Sequence, residues 1–411
     1  MTGAGAPVAA AGRPPRIALL GGRGIPANYS GFDTLLEEVA IRLVEQHGMD
    51  VTVYCRRRYF PSRPRLVHGV RCVYLPALPG KGIESISHTC ICVGHALFRR
   101  FDLVFVVDPA NAPFCLPLKL RRFPVVFHTD GLGWKRSKWS RLARAYYKRV
   151  EGLCAKTATA LVTDSRAMQR YYTETWRASS TFLPYGAITR GGSNTSALQR
   201  FGLEPRQYWL VVTRIEPENN TDLIVAGYLA ARSRHPLIVV GHARYASDYS
   251  QKLFAMAGPQ VRFVGGIYDA PALNGLYANC FAYLHGHEVG GTNPGLLRAM
   301  EAGACCAAVD VAFNVEVLED TGVYFGRDAS LIATTLQALE RDPERAAARG
   351  AAAQTRARCL YRWDAVAAGY AALFRSLVAS GKRADAVARV AHDEFYFPER
   401  YADGATTTSS A

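Results

Sequence analysis

Arg16-Ile17-Ala18-Leu19-Leu20-Gly21-Gly22-Arg23-Gly24-Ile25-Pro26 is the stretch that decides the fold class. An apolar strand runs directly into glycines. The segment Phe32 to Gln46 that follows places Leu35, Leu36, Val39 and Leu43 at helical spacing. A buried strand, a glycine turn and an amphipathic helix open a doubly wound α/β domain. Glycines at such a strand end let the backbone approach a phosphate or sugar closely, and a helix N-terminus favours an anion. The spacing is not Gly-x-Gly-x-x-Gly and the helix starts late, near Gly31, which disfavours a nicotinamide dinucleotide site.

Outward from this stretch the alternation continues. Val51 to Cys55, Val70 to Leu75, Leu103 to Val107, Val125 to His128 and Leu161 to Thr163 read as further strands, with helical segments such as Ser85 to Phe98 and Ala112 to Leu120 between them. Thr189 to Ser196 is polar and turn-rich and marks a boundary. A second series follows, with strands at Trp209 to Thr213, Leu237 to Val240, Val261 to Val264, Cys280 to Leu284 and Ala307 to Val309. The expected architecture is α/β, with two Rossmann-like doubly wound domains facing a central cleft. Residues 1–15 read as a disordered leader, 16–190 as the first domain, 191–360 as the second, 361–401 as helices packing back toward the first, and 402–411 as a disordered tail.

A hydrophobic content of 49% and a charged content of 20% are globular values, and no run of 18 apolar residues signals a spanning helix. The ten cysteines form no CxxC pair and no zinc spacing, so they are expected to be reduced core thiols of a cytoplasmic protein, with no metal site. Charge is more informative. Residues 1–187 carry 27 Lys and Arg against 12 Asp and Glu, whereas residues 188–411 carry 22 of each. The net +15 therefore resides in the first half, in Arg56-Arg57-Arg58, Arg99-Arg100, Arg121-Arg122 and the stretch Lys135 to Arg149 among others. A one-sided basic surface attracts an anionic membrane or nucleic acid, or simply aids solubility. The neighbouring aromatics follow no nucleic-acid motif, which disfavours nucleic acid as a partner.

Three further stretches sit at strand ends. In the first, His128 and Asp130 lie two apart before Gly131-Leu132-Gly133-Trp134-Lys135-Arg136. In an extended segment they share a side and are positioned to handle an acceptor proton or place a sugar. In the second, Thr213-Arg214-Ile215-Glu216-Pro217-Glu218-Asn219-Asn220, Arg214 suits a leaving diphosphate and the asparagines suit a helix cap. The third runs His285-Gly286-His287-Glu288-Val289-Gly290-Gly291-Thr292-Asn293-Pro294, and its free N–H groups before a helix make an anion seat.

Together these stretches resemble glycosyltransferase family 4, of the GT-B type, and within it the bacterial rhamnosyltransferase-like branch. The likeness spans about Arg16 to Phe325. It implies transfer of a sugar, rhamnose or another hexose, from a nucleotide diphosphate donor to a polysaccharide or lipid-linked acceptor. It further implies retention of configuration and no tightly bound metal. The donor would lie on the second domain and the acceptor on the first, at the inner face of the membrane. The residues so implicated are His128, Asp130 and Arg214 for catalysis; Gly22, Arg23, Gly24, Arg214, Asn219, Glu288, Gly290, Gly291, Thr292, Asn293, Arg298 and Glu301 for the donor; and Tyr29, Trp134, Lys135 and Arg136 for the acceptor.

Four positions depart from that pattern. Arg298 stands where the family carries a Glu that accepts hydrogen bonds from the nucleotide ribose, and Arg has donors only. Glu301, one turn on, is a candidate substitute, and the diphosphate is an alternative contact for Arg298. Gly133 stands where the branch has Glu, Asn219 where the wider family has Lys although this branch tends to carry Asn, and Glu288 where a small polar residue is common. A deoxyribose donor (dTDP), which offers one hydroxyl fewer, is slightly favoured over UDP or GDP. A degenerate, non-catalytic sugar-nucleotide or glycan-binding homologue is the alternative.

Overall fold

The computed structural model describes residues 13–27, 30–80, 83–135, 140–187, 192, 194–243 and 246–380. The first sheet holds β1 (Arg16–Leu20), β2 (Asp50–Arg56), β3 (Leu66–Val67), β4 (Val70–Leu75), β5 (Leu103–Val107), β6 (Val125–Thr129), β7 (Ala160–Thr163) and β8 (Thr181–Phe182), in the order β3-β4-β2-β1-β5-β6-β7-β8. The second holds β9 (Trp209–Val212), β10 (Leu237–Val240), β11 (Val261–Gly265), β12 (Ala282–His285), β13 (Cys305–Val309) and β14 (Val323–Phe325), in the order β11-β10-β9-β12-β13-β14. Every pairing is parallel except β3 with β4. The central strands β1, β5 and β13 are apolar and buried on both faces, as a helix-covered parallel sheet requires.

Strand order reverses at β1 in the first sheet and at β9 in the second. Ligands of open α/β sheets bind beyond the carboxyl ends of strands at such switch points. The turn Gly21 to Gly24 follows β1, and Thr213-Arg214 follows β9.

Local chemistry explains where the elements depart from expectation. Instead of one helix over Ala112 to Leu120 there is a single turn, Ala112–Cys115, followed by a 3-10 segment, Leu116–Arg121. Pro113 and Pro117 remove the N–H groups a longer α-helix would need. The short strands β3, β8 and β14 and the helix Ala312–Leu318 carried too little periodic signal to be read in advance. All ten cysteines are free, eight of them buried. No helix among the described residues is long and apolar enough to cross a membrane.

Helix Pro343–Leu360 packs on the second sheet's side, against β13 and helix Pro294–Glu301, and helix Trp363–Ser380 packs on helix Gly31–Glu45 of the first. The crossing is keyed by Trp363, 3% exposed, whose indole lies where a Cβ on Gly186 would sit 2.5 Å from its Cγ. Tyr370 and Phe374 pack on Phe105 at 5.4 and 5.6 Å between ring centroids, and Arg42 Nε donates to Asp364 Oδ1 at 2.8 Å.

Candidate active site

The donor-side half is built from two interlocked loops. The turn after β9 is fixed by Asn219, whose buried side-chain amide donates to the Arg214 carbonyl at 2.6 Å. Asn220 Nδ2 donates to the Gly286 carbonyl at 2.9 Å and to Glu288 Oε2 at 3.2 Å, while the Glu288 N–H donates to the Glu218 carbonyl at 3.2 Å. The loop after β12 is thereby held beside Arg214. Arg214 is half-buried and makes no ion pair among the described residues, so its charge is available to an anion. Helix Pro294–Glu301 starts at the end of this loop, with the Asn293 side chain accepting from the Gly295 N–H at 2.8 Å.

The first-sheet half meets this loop directly. Gly131, at φ +73°, approaches so closely that a Cβ would lie 2.5 Å from Gly290 Cα. A Cβ on Gly291 would lie 1.9 Å from Asp164 Oδ1, and the Thr292 hydroxyl donates to the Asp164 carbonyl. Glu316, from helix Ala312–Leu318, accepts from the backbone N–H groups of Arg166 and Ala167 at 2.6 and 3.0 Å. It caps a helix (Arg166–Trp176) of the opposite sheet's unit. Tyr185 donates to Asp130 Oδ2 at 3.1 Å. A small crevice lined by Phe32, Asp108, Asp130, Gly131, Gly133 and Tyr147 opens beside Asp130. Asp108 closes β5 with φ +70°, a strained value for a non-glycine residue at the cleft.

Asp164 is fully buried, and only its own backbone N–H and that of Thr292 favour its charged form. Burial, and then the Asp130 and Glu316 carboxylates, hold its pKa well above the usual carboxylate range, so it favours the protonated form. Burial likewise raises Glu316 against the backbone N–H groups that favour its anion.

Several sequence expectations are corrected. His128 does not line the cleft. It is fully buried, bonded through Nδ1 to the Tyr370 hydroxyl at 2.8 Å and ringed by Phe32, Phe105 and Tyr185, and burial lowers its pKa to about 3. Asp130, just beyond the end of β6 at Thr129, is the one of the pair that lines the crevice, while His128 lies beneath it with Tyr185 touching both. Glu301 faces the groove of Trp363 and Arg362 and pairs with Arg358 at 3.0 Å, so it does not stand in for the ribose ligand. Arg298 is engaged with helix Ala270–Asn279, donating to Asn274 Oδ1 at 2.6 Å and lying 5.9 Å from the Tyr277 ring centroid. Glu288 pairs with Arg327 at 2.9 Å.

On the acceptor side, Trp134 is half-buried and Lys148 Nζ lies 4.6 Å from its ring centroid, which removes it as an open stacking platform. Lys135 is exposed. Gly22 packs on Leu36 and Asp33, Gly24 packs on Cys55, and the Arg23 guanidinium lies 4.5 Å from the Tyr59 ring centroid, all within the first sheet's unit. Gly31, at the start of the following helix, faces Pro294 across the cleft. Tyr29 and Arg136 lie outside the described residues. The contacts not foreseen are Asp108, Asp164, Tyr185 and Glu316. Asp108 and Asp164 directly follow strands, which was a readable signal; Glu316 carried none.

Residues 3–186 match the family model described as a glycosyl transferase 4-like domain. A GDP-mannose-dependent alpha-(1-6)-phosphatidylinositol monomannoside mannosyltransferase of Mycobacterium tuberculosis is 27% identical over 384 residues, covering 85% of this chain and 96% of that protein. Among solved structures, a sucrose-phosphate synthase of Thermosynechococcus elongatus superposes with a TM-score of 0.75 at 19% identity, covering 89% of this chain and all of that one. Anabaena Alr3699/HepE in complex with UDP-glucose superposes with a TM-score of 0.70 at 15% identity, covering 88% of this chain. The fold is GT-B, with two Rossmann-like domains, and the chain is a glycosyltransferase.

Proposed function

We propose that this glycosyltransferase moves a hexose from a nucleoside diphosphate sugar to a glycan or lipid-linked acceptor, with retention, during assembly of a surface polysaccharide. One observation carries the reading. Arg214, without an ion pair among the described residues, follows β9 at the second switch point in a turn tethered to the loop after β12, and that loop meets the end of the first sheet at Gly131 and Asp164. Arg214 and the loop N–H groups stabilise charge on the departing diphosphate. Closure of the cleft excludes water, so the sugar passes to a hydroxyl instead of being hydrolysed. The leaving phosphate takes the acceptor proton, and Asp130 with Tyr185 positions the sugar. In this reading residues 191–360 hold the donor, and residues 16–190 hold the acceptor at the inner face of an anionic membrane.

The relatives' names support a nucleotide sugar in general: GDP-mannose for the mycobacterial protein and UDP-glucose for the Anabaena one. Rhamnose remains within the proposal, and the lean toward dTDP rests on the resemblance of the sequence and on Arg298, not on the relatives. The engagement of Arg298 with Asn274 favours a second reading, a binding protein without transfer, because a ribose acceptor is missing at that position. Calorimetric titration with GDP, UDP and dTDP separates the two, using the native chain and Arg298→Glu. Binding of one nucleotide by the native chain, followed by turnover of its sugar, is the expected result. Binding only after Arg298→Glu would sink the transferase reading.

A further inference from the structure

The outward face of helix Ile83–Leu97 is unlike an ordinary solvent-facing surface. Ile83, Ser87, Cys90, Ile91 and Gly94 follow one another at helical spacing, and Phe98 extends the stripe just beyond the helix. Ile83 is 54% exposed, Ile91 38% and Phe98 88%. The helix's one carboxylate, Glu84, is buried and paired with Arg56 and Arg58, leaving no Lys, Arg, Asp or Glu on the stripe. The 3-10 segment Leu116–Arg121 packs alongside, with Arg121 donating to the Leu97 carbonyl at 2.7 Å, and adds Leu120 at 83% exposure. Arg99, Arg100, Lys119, Arg121 and Arg122, all exposed, flank Phe98 and Leu120 at this end of the patch, and no Asp or Glu occurs between Ser85 and Phe101 or between Pro109 and Thr129.

We propose that this apolar stripe, with Phe98 and Leu120 at one end beside a cluster of arginines and Lys119, is the surface by which the protein lies on an anionic lipid bilayer. Exposed apolar patches of this extent mark interaction sites. An uncharged stripe flanked by a basic cluster matches the interface between acyl chains and anionic headgroups. A second copy docked on the same patch would set the basic cluster against itself, which like-charge repulsion opposes. The first turn of the helix reaches the cleft, since Arg56 Nη2 donates both to Ser85 Oγ at 3.0 Å and to the Gly21 carbonyl at 3.2 Å. A lipid-linked acceptor, which rests on the functional reading above, would therefore leave the bilayer beside the cleft.

The test is flotation of the full chain with phosphatidylglycerol vesicles and with phosphatidylcholine vesicles. The native protein is expected to float with the first and not the second, and to be released by salt. The double variants Ile91→Glu/Phe98→Glu and Arg99→Ser/Arg100→Ser are each expected to lose partitioning roughly tenfold or more. Nucleotide binding by the same variants should stay at the native level, which reports an intact fold and is independent of whether sugar is transferred. Absence of flotation by the native chain would overturn the proposal, as would native flotation by Ile91→Glu/Phe98→Glu. Loss of a concentration-dependent dimer in that variant, with vesicle binding unchanged, would assign the patch to a protein partner and overturn it equally.

Discussion

Arg214 and Asp164 show how differently single residues serve one cleft. Arg214 is half-buried without an ion pair among the described residues, so its charge is held for an anion that arrives. Arg214→Ala should lower turnover by about 10²- to 10³-fold, the range seen when a fixed donor to a developing charge is removed. Steady-state kinetics with saturating donor sugar checks this, and an unchanged kcat would remove Arg214 from the mechanism. Asp164 is instead buried between two other carboxylates. Its folded pKa lies above the unfolded value of about 3.9, so the native state keeps a proton that the unfolded chain releases. Its stabilising contribution is present below about pH 3.9 and is lost as pH rises through the folded pKa. Asp164→Asn removes that loss, so the variant's Tm relative to native should climb as pH rises from acid toward neutral. His128 and His285 act with the opposite sign, since burial lowers both to about 3. They weaken the fold as pH falls from about 6.5 toward 3, equally in both proteins. Parallel Tm curves for the native chain and the Asp164→Asn variant would refute a protonated Asp164.

At the scale of elements, the cleft is closed by loops that only glycine allows to touch. Gly291→Ala would place a Cβ 1.9 Å from Asp164 Oδ1. The loop must then withdraw from the first sheet, while its own tether to the β9 turn through Asn220 is untouched. Transfer should fall about tenfold or more through misplacement of the donor, and nucleotide affinity should weaken with it, because the displaced N–H groups seat the diphosphate. Assaying kcat and calorimetric affinity together checks this. Full activity in the Ala variant would mean that the Asp164 contact is not part of the working state.

Across the whole molecule, helix Trp363–Ser380 returns to the first sheet and ties the chain's two halves. Trp363→Ala should cost about 3–5 kcal/mol, because the indole is buried on Gly186 and leaves a cavity neither half can fill. Urea unfolding would measure it, and a loss below about 1 kcal/mol would show that the crossing carries little stability. The α/β class, the parallel sheets and the strand-end positions of Arg214 and the Gly290 to Asn293 loop were legible in the sequence. Apolar runs, glycines and helical spacing are local signals that neighbouring residues express on their own. What faces what was decided only by tertiary structure. His128 looked like a cleft residue until Tyr370, 242 positions away, closed over it, and Glu301 looked available until Arg358 took it. Asp164 meets Asp130 at the ends of the paired strands β6 and β7, but it acquired Glu316 only when the two sheets met. Burial and pairing between distant segments arise when separate surfaces are pressed together, and no local pattern of residues records that event.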